Sequence, residues 1–331
     1  MNLALTQAVR ALAQGLGFDA CGIASVYDLR SRADRPAAQA YRNFLNWLGS
    51  GKQADMTYLS ATAELRANPQ TVLPEARSMV VVLQSYFHTR RFCSSIAQYA
   101  WGKDYHIQMR RRLQILADYL IRQGFAARPF VDTAPILEKA WAVEAGLGWI
   151  GKNTLLISRR LGSFTFIGGV LTTAPLYPDE PFLEDFCGSC QRCIEACPTG
   201  ALSPYVLDAT RCIAYWTIEA PTLPEELQPT HGWIFGCDIC QIVCPWNRFA
   251  RPQGEFQPQA AAFYSLQEWA SLSPSQVKRL QQGSALRRTR PLKLQRLAQA
   301  ALTHKRVAVV GGRKEVLFDG PGAYPAEEVP R

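Results

Sequence analysis

The spacing of the cysteines constrains this chain more than any other feature of its sequence. Eight of the ten cysteines lie between positions 187 and 244, and four form the run Cys187-x2-Cys190-x2-Cys193-x3-Cys197, followed by proline. This spacing is typical of bacterial ferredoxins, in which three cysteines of the run bind one 4Fe-4S cluster and the fourth binds a second cluster. The segment is therefore expected to fold around two clusters and to carry electrons.

A second group of cysteines supplies the remaining ligands. Cys237-x2-Cys240-x3-Cys244 precedes Pro245, and Cys212 lies between the two groups. The predicted sets exchange one ligand each: Cys187, Cys190, Cys193 and Cys244 bind one cluster, and Cys197, Cys212, Cys237 and Cys240 bind the other. Structural zinc is the alternative, but zinc ligands are usually spaced as two separated pairs, often with histidine.

Disulfides are a further alternative, and the amino terminus argues against them. Residues 1–20 carry Leu5, Val9, Leu12 and Leu16 at helical intervals with Arg10 among them, which is typical of an amphipathic helix rather than an export signal. No stretch approaches the roughly 18 consecutive apolar residues of a membrane span. A cytoplasmic protein without a membrane anchor is therefore expected, and a reducing cytoplasm keeps thiolates available to iron.

The chain is predicted to divide into three parts. Residues 1–178 mix amphipathic helical segments with strand-like runs at 79–83, 154–157 and 164–167, which indicates an α+β domain. The cysteine domain occupies residues 179–250, after a connector punctuated by prolines. Residues 251–331 form a basic tail with helical patches at 265–272, 275–282 and 293–302 and a strand at 307–310.

The distribution of charge indicates a polyanionic partner. The net charge is +9, and residues 270–314 contain eleven lysines or arginines and no acidic residue. A solvated helical face normally mixes both signs, so this stretch predicts contacts with the phosphates of a nucleic acid. The alternative is that a basic cluster protein attracts an acidic electron donor.

A carboxylate follows an apolar strand-like segment near the middle of the chain. Asp132 comes directly after Phe130 and Val131 and precedes a segment whose apolar residues recur at helical spacing. It is either a helix cap or a general acid whose pKa is raised by dry surroundings.

Three glycines occur in the segment Gly146-x-Gly148-x2-Gly151-Lys152-Asn153. The segment differs from a phosphate-binding P-loop at Asn153, where that motif requires Ser or Thr, and it follows a helix instead of a strand. The glycines indicate a close approach of the backbone to a large cofactor, with an ordinary helix stop and turn as the alternative.

A segment dense in polar and aromatic side chains occupies residues 99–106. It is either a surface loop with a hydrogen-bonded histidine or part of a binding site. Its combination with the clusters, Asp132 and the glycine turn favours a site.

Residues 99–106, 131–157 and 187–246 together resemble the epoxyqueuosine reductase family. The resemblance implies a cobalamin-binding α/β domain followed by the ferredoxin-like domain, hence an α+β fold. It also implies a cytoplasmic, cobalamin-dependent oxidoreductase with two 4Fe-4S clusters. Such an enzyme removes the epoxide oxygen of epoxyqueuosine in the anticodon loop of a transfer RNA and gives queuosine, the last step of that modification.

The resemblance also implies roles for individual residues. Asp132 matches the proton donor that protonates the departing oxygen. The residues expected to line the cobalamin or substrate pocket are Tyr99, Asp104, Tyr105, His106, Lys152, Asn153, Thr154, Thr217, Glu219 and Asp238. An unidentified electron donor is required, and a monomer is expected.

The carboxyl-terminal part departs from the longer members of the family. They carry a helical-repeat module there, whereas the stretch after Asn247 leaves little space for one, so a short form is expected. Its basic residues are expected to hold the RNA while unstacked bases pack on aromatic side chains.

Two other function classes remain open from the sequence. Another cobalamin and iron-sulfur reductase, related to reductive dehalogenases, would share the cluster domain, although those enzymes usually begin with a twin-arginine signal and the first adjacent pair here is Arg90-Arg91. A non-enzymatic electron carrier or RNA-binding module would leave residues 1–178 without a role.

Overall fold

The computed structural model describes residues 1–88, 94–222, 230–252, 256–303, 307–310 and 313–316. The chain forms two compact units that are interleaved along the sequence. The first comprises Met1–Ser85, Tyr105–Cys190 and Trp246–Ala250, and the second comprises Tyr86–Asp104, Gln191–Pro245 and Arg251–Arg331. Because these units are defined by compactness, the contiguous three-part division at residues 178 and 250 stays a prediction.

A four-stranded antiparallel sheet forms the centre of the first unit. Its strands are ordered β1-β2-β6-β3, and a separate pair, β4 with β5, is also antiparallel. The bounds are β1 Ala20–Ser25, β2 Ser78–Ser85, β3 Ala127–Phe130, β4 Trp149–Ile150, β5 Leu156–Ile157 and β6 Thr165–Thr172. β3 lies at an edge of the sheet, which is where Pro129 is tolerated because it has no N–H to donate.

The apolar runs explain the two central strands. Every residue of β2 is buried, as expected for a continuous apolar run in the middle of a sheet. The predicted strand at 79–83 is confirmed within β2, and the one predicted at 164–167 corresponds to β6, which begins one residue later at Thr165 and continues to Thr172. The predicted strand at 154–157 is only partly correct, because Thr154 has a φ of 64° and turns the chain before β5 begins.

Helices cover both faces of this sheet. The bounds are α1 Leu3–Gly15, α2 Pro36–Gly49, α3 Thr57–Ala61, α4 Ala63–Ala67, α5 Tyr105–Arg122 and α6 Glu138–Glu144. On one face, Met79, Val81 and Leu83 of β2 share a core with Trp141 of α6 and Tyr41 of α2. On the opposite face, α5 packs so closely that a Cβ added at Gly168 of β6 would lie 3.0 Å from the side chain of Leu113.

The predicted amphipathic helix at the amino terminus is confirmed. The Asn2 side chain accepts the amide of Leu5 at 3.0 Å and begins α1, as a helix-capping residue does. Leu5, Val9 and Ala13 are buried along one face of the helix. No described helix is long and apolar enough to cross a membrane.

The second unit combines the cysteine-rich segment with the carboxyl-terminal helices. Its elements are α7 Arg192–Glu195, α8 Ile239–Ile242, α9 Leu266–Ser271, α10 Pro274–Leu280, α11 Pro291–Thr303, β7 Leu202–Ser203, β8 Val206–Leu207, β9 Val307–Val310 and β10 Arg313–Val316. A five-residue π-helix spans Tyr215–Glu219. β7 pairs with β8, and β9 pairs with β10, both antiparallel.

The helical patches predicted for the basic tail are confirmed, with ends set by capping residues. Ser265 and Ser273 each form a capping box, with Glu268 and Gln276 respectively, so α9 and α10 begin immediately after them. Trp269 of α9 is fully buried in a core shared with α10 and α11. The tail is therefore a packed helical layer with a hydrophobic core.

A buried carboxylate fastens α2 to α6 in the first unit. The side chain of Glu144 is fully buried and accepts Arg35 Nε at 2.6 Å and the amide of Ala37 at 3.4 Å. It therefore neutralises a partly buried guanidinium and also satisfies an amide in the first turn of α2.

We expect Arg35→Ala to lower the free energy of unfolding by about 3 kcal/mol, because it leaves the buried Glu144 carboxylate without its cation. Arg32→Ala is the matched control, since the Arg32–Asp34 pair at 3.2 Å is exposed and such pairs contribute less than about 1 kcal/mol. Denaturant titration of the anaerobic holoprotein measures both. Equal effects of the two substitutions would contradict the assignment.

Candidate active site and iron-sulfur centres

Four predicted cluster ligands come together in the second unit. Cys212 follows a short 3-10 helix, Cys240 lies in α8, and Cys237 and Cys197 lie in loops beside these helices. Burial raises the pKa of Cys237 and Cys240 well above the usual thiol value, and the thiolate of Cys212 raises both further. Cys197 likewise raises the pKa of Cys212 and Cys240, which shows that the four thiols are close neighbours.

Backbone amides point at these sulfur atoms. The amide of Ala201 donates to Cys197 Sγ at 3.3 Å. Burial raises the pKa of Cys212 and Cys237, and hydrogen bonds from the amides of Tyr215 and Ile239 respectively oppose that rise. Hydrogen bonds to cysteine sulfur are a usual feature of iron-sulfur sites and help to set their potential. Within the described ranges, no three His, Cys, Asp or Glu side chains are close enough to hold a single metal ion. Neighbouring thiols with amide donors directed at their sulfur atoms are the donor set that a 4Fe-4S cluster uses.

Two ligands predicted for the other cluster lie on a loop of the first unit. Asp185 Oδ1 accepts the amide of Cys187 at 2.8 Å, and Lys152 Nζ donates to the carbonyls of Gly188 and Cys190 at 2.6 and 3.0 Å. The remaining two ligands of this set, Cys193 and Cys244, belong to the second unit. The division of the eight cysteines into two ligand sets stays a prediction.

Asp132 lies in an unusual backbone conformation at the end of β3. Its φ is 58°, in the left-handed region that side-chain-bearing residues seldom occupy and that is often found at functional sites. Its amide donates to Glu138 Oε1 at 2.6 Å, and its Oδ2 lies 3.1 Å from His106 Nε2. The carboxylate is 41% exposed, so it is fixed in position and still accessible.

Stacked rings position the histidine beside this carboxylate. His106 stacks on Tyr105 with centroids 4.0 Å apart, and Tyr105 stacks on Phe166 of β6 at 4.1 Å. Tyr105 and His106 are the first residues of α5, and Asp132 follows β3. Because the start of α5 lies near the end of β3, the three predicted residues come together. This grouping has the donors and acceptors needed to hold and move a proton.

Glu138 and Arg66 belong to this site, although the sequence analysis did not select them. Burial, followed by the charge of Asp132, raises the pKa of Glu138 to about 8. Arg66 donates to the carbonyl of Ile136 at 3.3 Å, and burial lowers its pKa although the charges of Glu138 and Asp132 oppose that shift. The sequence carries no clear signal for either residue. An acid in the first turn of a helix, such as Glu138, usually indicates only a favourable interaction with the helix dipole, and Arg66 is far from Asp132 in the sequence.

The glycine segment is explained by packing within the chain. Gly146 ends α6 with a φ of 73°, and a Cβ there would lie 2.7 Å from the carbonyl oxygen of Glu180. A Cβ at Gly148 would lie 2.1 Å from the carbonyl oxygen of Ile157. The close approach expected from the sequence is therefore an approach to the chain itself, and the helix-stop alternative accounts for it.

The turn after these glycines holds three predicted pocket residues. Asn153 is buried, and its Oδ1 accepts the amide of Leu155 at 3.2 Å. The carbonyl of Thr154 accepts Lys139 Nζ at 2.7 Å, while Lys152 holds the cysteine loop. The turn is thus rigidly held, and its contacts with a cofactor stay predictions.

The other predicted pocket residues lie in the second unit. Asp238 is buried and accepts the amide of Gln98 at 2.7 Å, which neighbours Tyr99. Thr217 lies in the π-helix, donates to the carbonyl of Ile213 at 2.8 Å and accepts the amide of Gly236 at 2.9 Å.

Two further acidic residues of this set pair with arginines of the tail. Asp104 Oδ2 is 3.1 Å from Arg287 Nε, and Glu219 Oε1 is 2.6 Å from Arg288. These contacts show how the chain holds the two side chains in place; their roles toward cobalamin stay predictions.

Comparison with known families agrees with the chemistry of the site. Residues 186–247 match a family model described as a 4Fe-4S double cluster binding domain. Residues 66–133, which end just beyond Asp132, match the model "Epoxyqueuosine reductase QueG, DUF1730".

Individual relatives cover most of the chain. An epoxyqueuosine reductase from Leadbetterella byssophila is 38% identical over 291 residues, covering 85% of this chain and 93% of the relative. One from Synechocystis is 42% identical over 279 residues, covering 80% of this chain and 96% of the relative.

Solved structures agree. An epoxyqueuosine reductase bound to an epoxyqueuosine-modified tRNA-Tyr stem loop is similar with a TM-score of 0.75 and 30% identity, covering 91% of this chain and 81% of that one. The Bacillus subtilis enzyme with its catalytic aspartate loop swung out of the active site gives 0.75 and 28%, covering 91% and 82%. The predicted fold class, an α+β enzyme with a double-cluster domain, is thus confirmed, and the chain belongs to the epoxyqueuosine reductase family of oxidoreductases.

Proposed function

We propose that this protein reduces epoxyqueuosine at the wobble position of transfer RNA to queuosine, the last step of queuosine biosynthesis. The observation that carries the proposal is the accessible Asp132 carboxylate, held at the end of β3 by Glu138 and His106 in a chain that also binds two 4Fe-4S clusters. Loss of the epoxide oxygen as water consumes two electrons and two protons. The clusters supply electrons one at a time, and the Asp132 site supplies a proton.

Cobalamin is the second cofactor of this enzyme. When bound, it supplies a reduced cobalt that can engage carbon, which the clusters alone cannot do. Asp132 and Thr154 have accessible atoms that could face the cofactor, whereas Lys152, Thr217 and Asp238 are buried and bonded within the chain. The first two would contact the corrin or the substrate, and the other three would hold the surrounding loops.

Asp132 acts as the proton donor in this proposal. A general acid must protonate the departing oxygen within hydrogen-bond distance, and Asp132 carries the exposed carboxyl group of the site. His106 Nε2, at 3.1 Å, orients this carboxyl group and can return a proton to it between turnovers.

The transfer RNA is held by the tail, and the structure restricts which cations are available. Arg287 and Arg288 pair with Asp104 and Glu219, and the buried Lys293 donates to the carbonyl of Ala220 at 2.6 Å. Between the start of α10 and the end of α11, the exposed cations that enter none of the described ion pairs are Lys278, Arg279, Arg290 and Arg296. These four are assigned to the phosphates of the anticodon stem and loop.

The setting of the enzyme follows from its substrate. A transfer RNA substrate and oxygen-sensitive clusters place the protein in the reducing cytoplasm. It works there as a monomer supplied by a separate electron donor.

The proposed activity is tested anaerobically with the reconstituted holoprotein. We expect cobalamin, a chemical reductant and epoxyqueuosine-containing transfer RNA to give queuosine, detected by mass spectrometry of the nucleosides. Omission of cobalamin should abolish the product. A protein with full clusters and bound corrin that leaves epoxyqueuosine unchanged would contradict the proposed substrate.

Asp132→Asn should lower turnover at least about 100-fold, because the amide cannot donate the proton that the departing oxygen requires. Iron content and the absorption spectrum of bound cobalamin should equal those of the wild type, since Asp132 is not a cluster ligand. Wild-type turnover by this variant would overturn the proton-donor assignment.

The stability of the protein should depend on the ionisation of Glu138. Its folded pKa of about 8 lies above the ordinary glutamate value of 4.5, so its protonated form stabilises the fold at low pH. This stabilisation is lost as the pH rises from 4.5 through 8. Glu138→Gln cannot ionise, so its melting temperature relative to wild type should rise between pH 5 and pH 9.

Thermal denaturation across this pH range measures the effect, with the exposed Glu75→Gln as the control for the substitution itself. A melting-temperature difference for Glu138→Gln that does not change with pH would refute the raised pKa.

Arg290→Ala combined with Arg296→Ala should weaken binding of the transfer RNA. Each lost phosphate contact should also reduce the slope of log affinity against log salt by about 0.7 to 0.9. Filter binding at several salt concentrations measures both quantities, with the exposed Arg122→Ala of α5 as a control. Unchanged affinity and slope would place the RNA elsewhere.

A further inference from the structure

The enzyme needs a route by which electrons enter, and the cysteine loop of the first unit is exposed. Gly188 and Ser189, between the predicted ligands Cys187 and Cys190, are both exposed to solvent. Asp238 and Ile239, between Cys237 and Cys240 of the other set, are both buried. Because electron transfer slows steeply with distance, electrons from outside enter most easily at the cluster under the exposed loop.

Aromatic rings surround this loop within the first unit. Phe186, which directly precedes Cys187, has its ring centroid 5.7 Å from that of Trp246, and Trp246 lies 5.7 Å from Phe249. Trp149 contacts both Phe186 and Trp246, at 5.3 and 5.0 Å, and fixes the group from the buried side. Phe249 is 42% exposed, so the aromatic group reaches the surface beside the cysteine loop.

Arginines flank these rings. The guanidinium of Arg159 lies 4.8 Å from the centroid of Phe186, and that of Arg248 lies 4.6 Å from the centroid of Phe249. Both side chains are exposed, as is the adjacent Arg160, and none of the three enters an ion pair among the described residues. We call Arg159, Arg160, Phe186, Arg248 and Phe249 the arginine–aromatic face.

The acidic groups nearby do not cancel this charge. Glu184 and Asp185 are exposed acids of the adjoining segment, and Asp185 also accepts the amide of Cys187 at 2.8 Å, so the three arginines still outnumber these two acids. Leu183 is 76% exposed and adds apolar surface to the same segment. Stacking holds the arginines in place, so little side-chain entropy is lost when an anionic partner binds.

We propose that the arginine–aromatic face docks a small acidic electron-transfer protein that carries a flavin or an iron-sulfur cluster. Such encounters use small interfaces, and an apolar centre flanked by cations suits a transient complex whose association is steered by charge. Each encounter oxidises the carrier by one electron and reduces the cluster of Cys187 and Cys190 by one, so one turnover consumes two encounters. This inference rests on the proposed function and on the predicted ligand set.

The test measures reduction of the clusters without any transfer RNA, so its failure is separate from failure of the proposed substrate. Reduced flavodoxin and, in a parallel series, a reduced acidic 2Fe-2S ferredoxin are mixed anaerobically with the cluster-loaded protein in a stopped-flow instrument. The rate constant for bleaching of the 4Fe-4S absorbance is followed as salt is raised. Dithionite, a small reductant that needs no docking, is the reference.

We expect Arg159→Glu combined with Arg248→Glu to lower the second-order rate constant for protein carriers at least tenfold at low salt. Its rate should no longer fall as salt is raised and should instead rise, because salt now screens a repulsion between the two glutamates and the acidic carrier. The rate with dithionite and the iron content should be unchanged. Arg159→Gln with Arg248→Gln, which removes charge without reversing it, should give an intermediate rate.

Arg111→Glu combined with Arg122→Glu, two exposed arginines of α5 outside this face, is the charge-matched control and should react as the wild type does. Equal rates for wild type and the Arg159→Glu, Arg248→Glu variant would overturn the proposal. So would an equal loss for the Arg111→Glu, Arg122→Glu variant, which would indicate only the effect of net charge. Failure of both carriers to reduce the wild-type clusters would also count against an acidic partner.

Discussion

The burial of thiolates is the constraint on which the cysteine-rich part of this protein depends. Cys237 and Cys240 lie in surroundings that strongly oppose a negative charge, yet thiolates are the form in which cysteine binds iron. The local secondary structure is too short to supply much stability: α7 and α8 have four residues each, and β7 and β8 have two each. The iron must therefore provide both the positive charge that the buried sulfurs need and the cross-links that hold these short elements.

The α+β unit solves a different problem, which is to hold one polar group in a fixed and accessible position. β3 ends at the edge of the sheet, and the chain turns through the left-handed conformation of Asp132 before α6 begins. Glu138, at the start of α6, closes this turn with its hydrogen bond to the Asp132 amide. The helix is in turn fixed to α2 through Glu144. A buried ion pair remote from the chemistry thus supports the geometry of the proposed acid.

Sequence reasoning recovered the features that depend on local spacing. The ferredoxin pattern identified the cluster domain, and a continuous apolar run identified the central strand β2. It could not find Arg66, since its proximity to Asp132 arises only when α4 packs near the end of β3. It also assigned the glycine turn to cofactor approach, because spacing alone does not reveal that Ile157 already occupies the space over Gly148. Likewise, a count of basic residues could not show that Arg287 and Arg288 form ion pairs within the chain, and so could not distinguish them from the cations that we assign to RNA.

The Lys152 ammonium binds the carbonyls of Gly188 and Cys190 without touching a sulfur atom. The backbone on which two predicted ligands lie is therefore fixed by a group that does not depend on iron. Exposed clusters are the ones most readily lost to oxygen, and such a loss would free the thiols while leaving their loop tied to the protein body. Repair of this centre then requires delivery of new iron and sulfide to a site at which two of the four predicted ligands are already held in place.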